Sequence, residues 1–224
     1  MGEISVRRRL EPALDVDVYE VKLDDEFLMS SLFTAAETAL ARLALAQVKG
    51  DDLDVVVGGL GLGYTARAVL EDPRVRSLHV VEAVEAVIDW HRGGLLPLSS
   101  ELVSDGRCHL VLGDFFALVA SRAEFGRTSP NKLHAIVVDI DHTPRHVLHP
   151  SHAPFYTAEG HRHLARRLHP GGVFALWSDA PPDADYMAAV DEVFGSCVAH
   201  EVDFPNPYTG DRSANTVYVA IAPG

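Results

Sequence analysis

The chain has 224 residues, 47% of them apolar, which suits one α/β domain with a small extension and a sizeable core. Its formal charge of −13 comes from 32 acids against 19 Lys and Arg. Such a surface repels phosphate backbones, which excludes nucleic acid as an expected partner, and attracts cations, amines among them, although an acid surplus is also ordinary in soluble proteins.

No apolar run approaches the ~18 residues of a membrane helix. Arg7-Arg8-Arg9 is followed by Leu10-Glu11-Pro12, which is no signal-peptide core. No membrane partner and a cytoplasmic location are therefore expected. Cys108 and Cys197 both fall in predicted strands, so buried free thiols are expected over a disulfide.

Taken in order, residues 1–50 read as a strand-and-helix extension and residues 51–224 as a nucleoside-binding α/β domain. Asp15 to Leu23 alternates polar with apolar residues, as in a half-buried strand of a small hairpin or one that pairs with a partner chain. Thr34 to Val48 is a predicted helix, with Thr34 as N-cap and Glu37 as its capping-box partner. Strand and helix then alternate. Strands are predicted at Leu53–Gly58, Val75–Glu82, Cys108–Gly113, Leu133–Asp139 and Val173–Ser178. The intervening helices are Tyr64–Glu71, Ala83–His91, Phe115–Ala123 and Thr157–Leu168. A helix at Pro182–Phe194 precedes two last strands, Cys197–Asp203 and Ala214–Ile221. These have no helix between them and should form an antiparallel hairpin at one edge. The alternation predicts a doubly wound, mainly parallel sheet of seven strands, with its ligand beyond the strand C-termini where the strand order reverses.

The sequence is informative at those ends. Val55-Val56-Val57 reads as a strand buried on both faces, and Gly58, Gly59, Gly61 and Gly63 follow it directly. The loop opens a helix, whose amide N–H groups favour polar or anionic ligand atoms. Glu82 ends the second strand and is placed to accept hydrogen bonds from both ribose hydroxyls. Asp114 follows the third strand, either as a helix N-cap or as an acceptor for the exocyclic amine of a base, with Phe115 or Phe116 packed on its face. Asp139 and Asp141-His142 follow the fourth, and Asp179 the fifth. Histidines 142, 146, 149 and 152 lie in a proline-rich loop without a companion cysteine. That loop reads as a mobile lid, and no metal is expected.

This order of motifs resembles the spermidine synthase family, within the wider class I S-adenosylmethionine-dependent methyltransferase superfamily, over about residues 50 to 222. Val57 to Gly63 is similar to that family's glycine motif, Val81-Glu82 to its ribose-binding acid and Leu112-Gly113-Asp114 to its adenine-contacting pair. Val137-Val138-Asp139 is similar to the strand that carries its key aspartate. Phe155-Tyr156 and Leu168-His169-Pro170-Gly171-Gly172-Val173 are similar to the segment after its lid. The resemblance implies a Rossmann-like class I methyltransferase fold with an antiparallel last strand. It also implies a decarboxylated S-adenosylmethionine donor, an aminopropyl group passed to a diamine, and a homodimer.

By resemblance, Glu82 lies on ribose, Asp114 on the base and Asp139 near the reacting amine. Three departures stand out. Gly61 occupies the place of an aspartate in the glycine motif. His142 occupies the place of a second aspartate after Asp139, with Asp141 as a substitute one residue earlier. Phe27 to Thr34 replaces a tyrosine and histidine segment that helps hold the polyamine.

The expected function is transfer of an aminopropyl or methyl group from S-adenosylmethionine or its decarboxylated form to a small amine acceptor. Asp139, Asp141 and His142 orient that amine or accept its proton. Gly61 is expected to ease entry of a full S-adenosylmethionine carboxylate, because it removes a charge and a side chain. A non-catalytic nucleoside-binding relative and an NAD-type oxidoreductase are the alternatives. Against the latter, the chain has no convincing Tyr-x-x-x-Lys.

Overall fold

The computed structural model describes residues 2–224. Seven strands form the central sheet: β4 (Leu53–Gly58), β5 (Val75–Glu82), β6 (Cys108–Leu112), β7 (Leu133–Val138), β8 (Leu168–Ser178), β9 (Cys197–Pro205) and β10 (Arg212–Ile221). Their order is β6-β5-β4-β7-β8-β10-β9. The pairs β4·β5, β5·β6, β4·β7 and β7·β8 are parallel. β10 runs antiparallel to both β8 and β9. The expected edge hairpin is present, and its second strand is the inner one. Strand order reverses at β4, which places the switch point at Gly58.

Period-two alternation along the strands divides the core. Val55 and Val57 face α1 (Ala35–Gln47), α2 (Tyr64–Leu70), α3 (Glu85–Arg92) and α4 (Ser99–Ser104). Val56, Ile136 and Val138 face α5 (Phe115–Ser121), α6 (Ala158–Ala165) and α7 (Ala184–Phe194). Helices thus cover both faces, which is why the strands read as apolar runs. Helix α1 packs directly on this sheet, with Leu40, Ala41 and Ala44 fully buried.

Residues 2–34 hold more structure than the single predicted strand. β1 (Ile4–Glu11), β2 (Val16–Leu23) and β3 (Glu26–Ser30) form an antiparallel meander. Val21 and Met29 pack with Leu62 and Leu96, so the meander sits on the glycine loop. Helix α4 was not expected, because six residues are too few for a helical period to show. β8 begins at Leu168, earlier than Val173, because Leu168 already pairs with Leu133 of β7, and the His-Pro-Gly-Gly stretch bulges out before pairing resumes at Val173. Cys108 and Cys197 are free, partly buried thiols, and burial pushes both up to about 12.

Two Asp-x-Arg turns pin helix ends to the strands that follow. The Arg74 guanidinium donates to Val48 O at 2.9 Å and Leu45 O at 2.8 Å, and pairs with Asp72 at 2.7 Å. Arg107 donates to Leu70 O at 2.9 Å and pairs with Asp105 at 2.7 Å. The carbonyls at the C-termini of α1 and α2 therefore find charged donors. Arg74→Ala is expected to lower stability by about 1–3 kcal/mol, read as a fall in thermal midpoint of roughly 2–4 °C per kcal/mol in a domain of this size. An unchanged midpoint would show that water replaces the guanidinium without cost.

Candidate functional site

The strand ends at the switch point are knitted one residue past their ladders. Asp139 N donates to Gly58 O at 2.8 Å, Gly59 N to Val81 O at 2.9 Å and Gly113 N to Glu82 O at 2.9 Å. Gly59 has φ +94, and a Cβ there would stand 2.0 Å from Asp139 O, so no other residue fits. Gly59 and Gly61 line a cavity of about 1110 Å³. Gly58 and Gly63 do not, and serve close packing instead. A Cβ on Gly58 would lie 2.9 Å from the Phe115 ring, and one on Gly63 2.5 Å from Leu102.

The loop amides do not await an anion, which corrects the sequence expectation. Besides Gly59, Leu60 N donates to Glu82 Oε2 at 3.0 Å and Gly61 N also turns to Glu82. Leu62 N donates to Met29 Sδ at 3.3 Å, and Gly63 N to Leu60 O at 2.8 Å. Four of the five amides from 59 to 63 are hydrogen-bonded within the protein, and the fifth, Gly61 N, is turned to Glu82. Nor is the space beside Gly61 open. A Cβ there would lie 2.4 Å from Met29 Cε. The meander supplies a neutral thioether where a side chain at 61 would go.

Glu82 ends β5 at the cavity wall. Its Oε1 accepts from Val84 N at 2.9 Å, and its Oε2 from Leu60 N. Burial pushes its carboxyl up, and the surrounding amides pull against that. Asp114 is the N-cap that the sequence allowed, and it stands at the cavity as well. Its Oδ1 accepts from Ala117 N at 3.1 Å as the N-cap of α5, and it lines the cavity, exposed. Phe115 and Phe116 line the same end. Phe115 is buried against Gly58, whereas Phe116 stacks on the His152 ring at 4.1 Å.

Asp139 lines the cavity from the end of β7, and its Oδ2 accepts from the Thr65 hydroxyl at 2.5 Å. His142 lines it too, held between Glu26 at 3.2 Å and Asp179 at 3.5 Å. Asp141 does not reach the cavity, which corrects its expected place beside the acceptor. It is buried, and its carboxylate accepts from Leu148 N at 2.7 Å, His152 Nδ1 at 2.9 Å and the Tyr156 hydroxyl at 2.8 Å. It anchors the loop over the cavity, and a seven-residue 3-10 helix at Pro150–Tyr156 closes that loop. Among the described residues, no three His, Cys, Asp or Glu side chains are grouped to hold a metal ion.

The residue that sequence reasoning missed is Glu37. The Thr34 side chain makes no capping bond, and Glu37 lines the cavity from the first turn of α1 instead of closing a capping box. Burial and the charge of Asp139 push its carboxyl up to about 8, while burial pushes Asp139 up to about 6 against the Thr65 hydrogen bond. Nothing in the local pattern betrays this, because Thr-x-x-Glu is also the capping-box signature. Nine of the cavity's lining residues are Asp or Glu, and none is Lys or Arg.

Both raised carboxyls bind protons more tightly folded than unfolded. They add stability below their ordinary range near pH 4, and this is lost as pH rises through about 6 and about 8. Glu37→Gln should therefore gain in thermal midpoint relative to the parent between pH 6 and pH 9, by differential scanning calorimetry. A constant difference across that range would refute the coupling.

The sequence matches the Spermine/spermidine synthase domain over residues 35–203. It is 28% identical over 127 residues to the polyamine aminopropyltransferase of Mycobacterium tuberculosis, 57% of this chain and 23% of that enzyme. It is 30% identical over 142 residues to putrescine N-methyltransferase 2 of Nicotiana tabacum, 63% of this chain and 36% of that one. The chain thus spans well under half the length of the curated relatives it matches. A spermidine synthase solved in complex with the transition state analogue AdoDATO superposes with a TM-score of 0.75 at 18% identity, over 96% of this chain and 69% of that one. Human methyltransferase-like protein 13 in complex with SAH gives 0.56 at 19% identity, over 83% and 78%. These likenesses show a methyltransferase-like fold. With the domain match covering most of its length and holding the whole switch-point site except the meander and the β9–β10 tip, the chain belongs to the spermine/spermidine synthase family.

Proposed function

We propose that the protein transfers an aminopropyl group from decarboxylated S-adenosylmethionine to a small amine. The observation that carries this reading is the charge of the cavity: nine acidic lining residues, no Lys or Arg, and loop amides already spent. A donor that is cationic at both sulfur and tail suits such a wall. A donor with a tail carboxylate finds neither a counter-charge nor a free loop amide there. The same features speak against a dinucleotide, whose pyrophosphate needs amide donors from the glycine loop.

In this reading Glu82 holds the ribose hydroxyls, Asp114 the base amine and Phe116 one face of the base. The reaction is displacement at the carbon beside the sulfonium. The acceptor nitrogen attacks as a free amine, its lone pair forms the N–C bond, and the C–S pair leaves on sulfur as a neutral thioether. Asp139, oriented by Thr65, holds the amine and takes a proton. The loop pinned by Asp141 closes over both reactants. Methyl transfer from S-adenosylmethionine is the second reading, favoured by the likeness to the tobacco putrescine N-methyltransferase.

Two measurements test this. Calorimetric titration should give at least a tenfold tighter dissociation constant for the decarboxylated donor, about 1.4 kcal/mol. Equal affinities, or a preference for S-adenosylmethionine, would turn the assignment to methyl transfer. Glu82→Ala should weaken methylthioadenosine binding roughly tenfold or more. It should also lower stability by about 1–3 kcal/mol, because the Leu60 and Val84 amides lose their acceptor. Unchanged affinity would remove Glu82 from the ribose.

A further inference from the structure

We propose that Glu37 is the second carboxylate of the acceptor site, holding the acceptor's ammonium group against Asp139 and sharing its proton before transfer. The inference rests on the transferase reading above and names the residue that recognises the amine.

Glu37 and Asp139 come from different elements, α1 and the end of β7, and line one cavity. Asp139 is the charged neighbour that bears on Glu37, and it repels it. Tyr64 of α2 lies close enough to feel the Glu37 charge. From the other strands packed on α1, Trp177 of β8, Phe204 of β9 and Asn215 of β10 line the cavity without charge, and Asp179 beyond β8 adds only negative charge. The buried indole N–H of Trp177 has no partner in the protein. Two carboxylates that line one cavity with no Lys or Arg beside them hold a proton between them or a cationic ligand. An ammonium group supplies the missing charge, and its three N–H donors suit two carboxylates. Aromatic faces at Phe33, Trp177 and Phe204 line the same cavity and favour a cationic head on an apolar chain.

The proton balance closes. A bound R–NH3⁺, having displaced the proton held by the pair, gives one of its own protons to a carboxylate and becomes R–NH2. Its lone pair forms the N–C bond, and the sulfonium takes the C–S pair. The product leaves as a secondary ammonium, and the proton taken by the pair passes to water, which restores the pair. Asp139 stands nearest the transfer chemistry by its place at the switch point. Glu37 fixes where the ammonium sits and which protonation state the pair takes up.

The test is calorimetric titration of putrescine into the protein saturated with methylthioadenosine, at pH 7, in two buffers of different ionisation enthalpy. The parent is expected to bind putrescine with net proton release, as the ammonium displaces the proton held by the pair. Glu37→Gln, which keeps the side-chain volume, should bind putrescine about tenfold more weakly or worse, release fewer protons and leave methylthioadenosine affinity unchanged. Glu37→Asp should recover part of both effects. In turnover, Glu37→Gln should raise the acceptor KM and leave the donor KM in place. Putrescine affinity and proton release that are the same in Glu37→Gln as in the parent would overturn the proposal. Failure of the transferase reading looks different: the parent itself then transfers nothing from either donor, whatever stands at residue 37.

Discussion

Everything at this site depends on the close approach of three strand ends at the point where the sheet changes direction. Gly58 and Gly59 exchange backbone hydrogen bonds with Asp139 on one side and Val81 on the other. With the Asp139 carbonyl where a Cβ at 59 would be, the approach is possible only for glycine in a left-handed conformation. This contact sets the separation of Glu82 from Asp139 and aims both into one cavity. It also lets α2 start where Thr65 reaches the Asp139 carboxylate. A looser junction would leave the same side chains present but not convergent.

The electrostatics follow from that convergence. Carboxylates brought together away from water are offset in three ways here. Glu82 takes backbone amides, Asp139 takes a hydroxyl, and Glu37 stays protonated more readily than a free glutamic acid. None of the offsets is a lysine or arginine. The cavity is therefore matched to cationic ligands by its own composition, in keeping with an acidic chain. The guanidinium groups are used elsewhere, at helix ends and surface pairs such as Arg74 with Asp72 and Arg145 with Asp183.

The N-terminal meander is part of this arrangement and not an appendage. Met29 covers Gly61, Glu26 touches His142, and Val21 packs with Leu62. The meander closes the cavity from one side, and the loop anchored by Asp141 closes it from the other. Tyr208 at the β9–β10 tip meets Arg9 and Glu11 of β1, which ties the meander to a segment far away in the chain.

The sequence by itself determined the strand–helix alternation, the parallel sheet, the reversed last strand and the positions of Glu82, Asp114 and Asp139 at strand ends. It could do so because burial on one or both faces leaves a short period in the chain, and because a strand end is a local event marked by glycine or acid after an apolar run. Tertiary structure alone decided the rest. Thr34 and Glu37 fit a capping box, yet the packing of α1 on the sheet turns Glu37 to the cavity. Asp141 and Asp139 are two residues apart, yet the loop takes one carboxylate and the cavity the other. Gly61 reads as open space until β3 brings Met29 across it. In each case the local pattern admits two environments, and long-range packing, which leaves no period in the sequence, selects between them.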